Sequence, residues 1–472
     1  MKQNLKTIEP KMMTNQVISP VNGSAYCEVA LADLTKANQM LVRAQAAQTS
    51  WSLLSLGERR KYITAFLDAF KANQPEIAEE LTMQMGRPIC YTPGEVDGMI
   101  GRAEHMLSIA EEALADISFP DEGQDRKFMR REAIGTVLVI APWNYPYLTA
   151  VNVIVPALMA GNAVVLKHSN QTPLCAEQYL KAFQKANLPD GVFQIIHTSH
   201  DVTEKMVQDQ RVGFVAFTGS VEGGAAMEKA AAGRFIGLGL ELGGKDPAYV
   251  RSDVDVQWAA ENIADGAFFN SGQSCCGIER VYVHADVYDD FIENLVTVTN
   301  AYILGDPMQP ETTLGPMVRA NAADYVRGQI DEAVTQGAKT LIDPDLFEKN
   351  QRGSAYMAPQ VVVNVTHQMR LMTEESFGPV IGVMKVESDE QAIALMNDSD
   401  LGLTASIWTK DTDTGLKIAK KIETGTAFVN RCDFLDPALA WTGVKNTGRG
   451  ISLSMLGYHQ LTQAKSYFIR KV

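Results

Sequence analysis

Thr136-Val137-Leu138-Val139-Ile140-Ala141-Pro142-Trp143-Asn144 opens the part of the chain that decides the fold. An unbroken apolar run predicts a strand buried on both faces, and Pro142 predicts its end. Outward from it the pattern alternates. Strand-like runs fall at 136–141, 163–167, 192–197, 212–217 and 235–240, with helix-like runs at 148–160, 175–186, 202–208 and 221–231 between them. Repeated strand–helix–strand units predict a parallel, doubly wound sheet whose ligand chemistry gathers at the carboxyl ends of the strands. Asn144, Lys167, Ser220 and Glu241 all fall at or just past such ends.

A second alternating region follows. Strands are predicted at 281–283, 337–341, 361–363, 380–386, 405–408 and 426–429, and helices at 288–302, 320–336, 389–397 and 414–422. Ahead of the first sheet, 18–30 reads as an extended lead-in and 34–114 as helical, broken at Gly86-Arg87-Pro88. Trp51, Leu54, Tyr62, Phe66, Leu67 and Phe70 recur at helical spacing, which places Arg59, Arg60 and Lys61 on the wet side. The stretch 117–131 is polar and extended, either a solvated loop or an arm. The tail 462–472 alternates like an edge strand that wants pairing.

A chain of 472 residues with 46% hydrophobic and 21% charged residues has ample material for more than one core. Net charge is −14 with no basic block, which argues against a nucleic-acid partner. The six cysteines form no Cys-x-x-Cys pair and the seven histidines no metal-ligand spacing, so neither a disulfide framework nor a metal site is expected. Residues 1–11 lack an apolar core, and the longest apolar run, 151–166, is interrupted by Pro156, Gly161 and Asn162. The expectation is a cytoplasmic protein without a membrane span.

The chemistry centres on Phe268-Phe269-Asn270-Ser271-Gly272-Gln273-Ser274-Cys275-Cys276. A lone cysteine is ordinarily a small buried hydrophobe. Here, however, Glu241-Leu242-Gly243-Gly244-Lys245 ends one strand with a carboxylate, and Pro142-Trp143-Asn144-Tyr145-Pro146 ends another with an amide. Oxidation of an aldehyde through a thioester needs that trio: a thiolate to attack, an amide to hold the oxyanion, and a carboxylate to activate water.

These segments resemble the aldehyde dehydrogenase superfamily. Its Gly-Gln-x-Cys stands at 272–275 and its Glu-Leu-Gly-Gly-Lys at 241–245, the cysteine following the glutamate by 34 positions. Its Phe-Thr-Gly-Ser is at 217–220 and its Glu-x-Phe-Gly-Pro at 375–379, and the motifs keep the family's order over nearly the whole chain. The resemblance implies two doubly wound α/β domains, a Rossmann-like cofactor domain (1–115 and 134–242) and a catalytic domain (243–446). A small oligomerisation arm (116–133 and 447–472) would build a homodimer or homotetramer.

The resemblance also implies site residues. Cys275 would be the nucleophile, Glu241 the base and Asn144 the oxyanion donor. NAD or NADP would lie against Ile140, Trp143, Lys167, Asn170, Gly219, Ser220, Glu375 and Phe377. Keeping the cysteine, glutamate and asparagine argues against a catalytically silent relative, and Glu241 argues for hydrolysis rather than acyl transfer to coenzyme A. Where many relatives read Lys-Pro-Ser-Glu, this chain has Lys167-His168-Ser169-Asn170. Losing that glutamate removes a repulsion toward a 2′-phosphate, which leaves the choice between the two cofactors open.

For the aldehyde, the corresponding positions are Tyr145, Thr149, Asn152, Phe269 and Trp441. Aromatic walls with few charges favour an uncharged aliphatic or aromatic aldehyde, because an unpaired carboxylate would lose its hydration there. The alternative is an ω-carboxylated semialdehyde such as succinate semialdehyde, with Arg431 as the anchor.

Overall fold

The computed structural model describes residues 13–470. Four helices, Leu34–Trp51, Leu56–Lys71, Gln74–Met85 and Thr92–Ala113, form the amino-terminal layer. Ser55 starts the second with a capping box to Glu58, and Gly86, at φ +88°, ends the third in a left-handed cap. Phe66 stacks on Phe183 at 3.9 Å between ring centroids, and Phe70 meets Tyr147 edge-on. These contacts fix the layer on helices Pro173–Lys185 and Pro146–Met159, which connect strands of the first sheet. Arg59 departs from the amphipathic pattern: it is 8% exposed, covered where its helix packs beside Gly161.

The first sheet has six strands, in the order Gly448–Arg449, Gly237–Glu241, Val212–Thr218, Thr136–Ile140, Ala163–Lys167, Phe193–Ile195. All are parallel except the first, which runs antiparallel to Gly237–Glu241. The chain runs outward from Thr136–Ile140 in one direction and then returns to its other side. The carboxyl ends of Thr136–Ile140 and Val212–Thr218 therefore flank the topological switch point, where such sheets bind ligands.

The second sheet has seven strands: Lys339–Thr340, Gln360–Val363, Val380–Val386, Ile278–His284, Asp246–Val250, Thr404–Trp408 and Thr426–Val429. Asp246–Val250 is an interior strand that the sequence pattern did not announce, since an Asp-Pro start reads as a turn. The register shifts between Asp246 and Pro247, which accommodates the missing N–H, and the buried Asp246 carboxylate accepts from Thr404 N and Oγ1.

Asp125–Ala133 pairs antiparallel with Thr462–Arg470 and with Ile117–Ser118, forming a separate three-stranded sheet. Residues 447–461 do not belong to it. Gly448–Arg449 joins the first sheet, and helix Ser454–Gln460 packs on Thr92–Ala113 and Pro146–Met159. Among the described residues, no helix is long and apolar enough to cross a membrane, and no cluster of ligating side chains could hold a metal ion.

Candidate active site

Cys275 lies on a turn built at some conformational cost. Helix Val256–Phe268 is followed by Asn270 (φ 54°), Ser271 (φ 56°) and Gly272 (φ 69°), all left-handed. For Asn270 and Ser271 that region costs roughly 1–2 kcal/mol each. Side-chain bonds hold it in place. Arg87 Nε donates to Asn270 Oδ1 (3.1 Å), Ser271 Oγ to the Gly315 carbonyl (2.7 Å), and Val318 N to Gln273 Oε1 (2.7 Å). Arg87 also pairs with Glu95 and donates to the Asn144 carbonyl, so one buried guanidinium ties the cysteine turn to the asparagine loop. In the sequence pattern Gly86-Arg87-Pro88 reads only as a break.

The glycines of Glu-Leu-Gly-Gly-Lys have a steric reason. A Cβ on Gly243 would lie 2.3 Å from Glu375 Oε2, and one on Gly244 would lie 2.4 Å from the Cys275 carbonyl oxygen. The Gly244 N–H donates to Glu375 Oε1 (3.0 Å). Lys245, fully buried, pairs with Glu279 (2.5 Å), and Glu279 in turn accepts from the backbone N–H groups of Ser376 and Phe377. That lysine is a brace between the two motifs.

Two cavities meet at Cys275. One, of about 380 Å³, is lined by Ile140, Trp143, Lys167, Gly219, Ser220, Glu375 and Phe377, so seven of the eight residues expected at the cofactor lie together. Asn170 does not line it; its Oδ1 instead accepts from Lys167 Nζ (3.3 Å). Arg319, which no sequence motif singles out, adds a cation at the rim. The other cavity, of about 580 Å³, is lined by all five expected aldehyde-side residues, Tyr145, Thr149, Asn152, Phe269 and Trp441. Glu241 and Thr218 line both, as Cys275 does.

The second cavity is not the weakly charged tunnel expected. Arg102, Asp265 and Asp433 line it as well. Arg431 does not: its guanidinium lies over the Phe434 ring, 3.7 Å from the centroid.

Burial separates the two cysteines: Cys275 is half-buried and Cys276 buried. Cys276 is 3% exposed and donates to Asp433 Oδ1 (2.9 Å). Its contact with the Cys275 thiol, burial and the Asp433 charge hold the Cys276 thiol well above the ordinary range. Burial likewise raises the Glu241 carboxyl, opposed by hydrogen bonds from Ser452 Oγ (2.6 Å) and Thr218 Oγ1 (3.3 Å). Asn144 Nδ2 donates to the Gln273 carbonyl (3.2 Å), which brings the amide to the cysteine turn. Among the described residues Lys167 has no carboxylate partner, and burial lowers it to about 8. Burial, with Glu279 nearby, raises Glu375 to about 8.

Residues 8–467 match the model of the aldehyde dehydrogenase family. The chain belongs to that family. The dehydrogenase is 32% identical over 461 residues to 3,6-anhydro-alpha-L-galactose dehydrogenase of Streptomyces coelicolor, covering 97% of this chain and 93% of that one. It is also 32% identical over 450 residues to the NAD(P)+ succinate semialdehyde dehydrogenase Sad of Escherichia coli, covering 94% and 95%. Among solved structures, PnpE in complex with nicotinamide adenine dinucleotide superposes with a TM-score of 0.92 at 29% identity, over 97% of this chain and 94% of that one. The protein is an NAD(P)-dependent aldehyde dehydrogenase.

Proposed function

We propose that the enzyme oxidises an aldehyde to the free carboxylic acid through a thioester on Cys275. The observation that carries this reading is the placement of Cys275 and Glu241 on the walls of both cavities. A thiol there reaches an aldehyde from one side while a dinucleotide fills the other.

The residues of the smaller cavity suit a dinucleotide. Helix Val221–Ala231 presents free N–H groups at its start beside the Ser220 cap, Lys167 is a cation without a carboxylate partner among the described residues, and Glu375 offers its carboxyl to hydroxyls. In this reading Gly219 and Ser220 take the pyrophosphate, Lys167 and Asn170 the adenosine ribose, and Ile140, Trp143, Glu375 and Phe377 the remainder. A bound nicotinamide supplies the hydride acceptor when the thiohemiacetal becomes a thioester.

The protein's own groups carry the rest. The Cys275 thiolate adds to the carbonyl carbon, and the oxyanion that forms takes a hydrogen bond from the Asn144 amide. Glu241, raised by burial, then removes a proton from water as the water attacks the thioester. The acid departs and the proton passes to solvent. For the assembly, the exposed Phe468 and Ile469 on the edge strand Thr462–Arg470 support pairing between copies through the arm.

The test replaces each thiol in turn. Cys275→Ser should abolish aldehyde-dependent reduction of NAD(P), whereas Cys276→Ser should retain it. The reverse result would move the chemistry to Cys276.

A further inference from the structure

Helix Thr92–Ala113 carries Gly98, Gly101 and Arg102 on one face, because residues three and four apart in a helix are neighbours. That face lines the cavity in front of Cys275. The glycines keep the wall low, and a Cβ on Gly101 would meet nothing within 4 Å. Arg102 is the feature the mechanism leaves unused. Its Nη1 donates to the Leu148 carbonyl (2.8 Å) and to Asn152 Oδ1 (3.3 Å). Among the described residues no carboxylate lies within 4.0 Å of the guanidinium, and Nε and Nη2 donate to no protein acceptor.

A second, independent observation lies beside it. Asn152 is 1% exposed, lines the same cavity, and its Nδ2 has no hydrogen-bond partner among the described residues. The bond from Arg102 fixes the amide with its oxygen toward the cation, while the NH2 end stays covered by protein. Asn152 therefore acts on this wall by orienting the guanidinium, whose Nε and Nη2 are left for a ligand. A buried charge left unpaired is costly, and the Nε/Nη2 edge of a guanidinium matches the two oxygens of a carboxylate.

Resting on the dehydrogenase reading of this site, we propose that Arg102, oriented by Asn152, anchors a carboxylate on the substrate. The enzyme then acts on aldehydes that carry an anionic group remote from the reacting carbonyl. The acidic groups in the cavity sit on the other elements: Glu241 at the end of strand Gly237–Glu241, Asp265 on helix Val256–Phe268, and Asp433 held by Ser274 Oγ (2.9 Å) and Cys276 Sγ. Burial raises the carboxyls of Asp265, Asp433 and Glu241. The wall that decides the substrate is thus the Arg102 helix rather than the loop of Arg431.

The experiment compares matched pairs that differ only in the carboxylate, succinate semialdehyde against butanal and 4-carboxybenzaldehyde against benzaldehyde. In the wild type kcat/KM should favour the carboxylated member by about tenfold or more, and Arg102→Leu should cut that ratio by on the order of 100-fold. Arg102→Lys keeps the charge without the fork and should restore part of the ratio. A ratio unmoved by Arg102→Leu overturns the proposal, as does a wild type that ranks glyceraldehyde above both carboxylated substrates. A second readout needs no variant. Succinate should slow alkylation of Cys275 by iodoacetamide more than butyrate does, and equal protection counts against the anchor. Failure of the dehydrogenase reading looks different, because then no aldehyde reduces NAD or NADP in the wild type.

Discussion

Gly244 and Cys275 are in backbone contact: a Cβ on Gly244 would stand 2.4 Å from the Cys275 carbonyl oxygen, closer than any side chain tolerates. The neighbour is main chain and cannot swing away. Gly244→Ala must therefore push the cysteine turn, whose left-handed residues are already held under strain.

We expect Gly244→Ala to fold and to lose most of its turnover, on the order of 100-fold or more, because displacement of about 1 Å at a reacting group is costly. Steady-state kcat measured beside a thermal melt checks this. Full activity would mean that the turn relaxes freely.

Much of this was legible in the sequence, for identifiable reasons. Strands such as Ala163–Lys167 and Val380–Val386 are mostly apolar runs closed by turn chemistry, and the three residues of the proposed reaction each stand at or just past the end of a strand or a helix, beside a short glycine-rich or proline-rich segment. Arg102 was invisible because an arginine within a helical pattern reads as solvent-facing. Only the packing of Thr92–Ala113 on Pro146–Met159 turns it inward. Arg59 was misplaced for the same reason. Asp246–Val250 escaped because its bulge is tertiary, supported by Thr404 from 158 positions away.

Cofactor choice turns on the Lys167–Asn170 contact. Asn170→Glu would place a carboxylate 3.3 Å or so from Lys167 Nζ, offset its charge and repel a 2′-phosphate. The ratio of kcat/KM for NADP over NAD should fall by roughly tenfold. Equal effects on the two cofactors would place Asn170 away from the adenosine ribose.

Stability should depend on pH in opposite senses on the two flanks. Glu375, raised to about 8, binds its proton more tightly folded than unfolded, so its contribution is present at low pH and is lost as pH rises through about 8. His168, lowered to about 3 by burial, is held neutral with Nδ1 accepting from Ser169 N (2.9 Å). Its contribution is present above its unfolded value and is lost as pH falls toward 3. In the absence of cofactor, thermal melts should therefore decline from about pH 6.5 to about pH 8 and level off above it, by at most about 1.4 kcal/mol per pH unit for one such group. Glu375→Gln should flatten that limb. A slope unchanged in the variant would assign the effect elsewhere.

The central claim is that Cys275 carries the acyl group and Glu241 releases it, and one pre-steady-state experiment addresses both. Glu241→Gln is mixed with NAD(P) and excess aldehyde, reduced cofactor is followed by absorbance, and the quenched protein is analysed by peptide mass. The account predicts a rapid burst of about one reduced cofactor per site, then near-arrest, with the acyl mass on the Cys275 peptide. Unchanged steady-state turnover, or an acyl group found on any other residue, would contradict it.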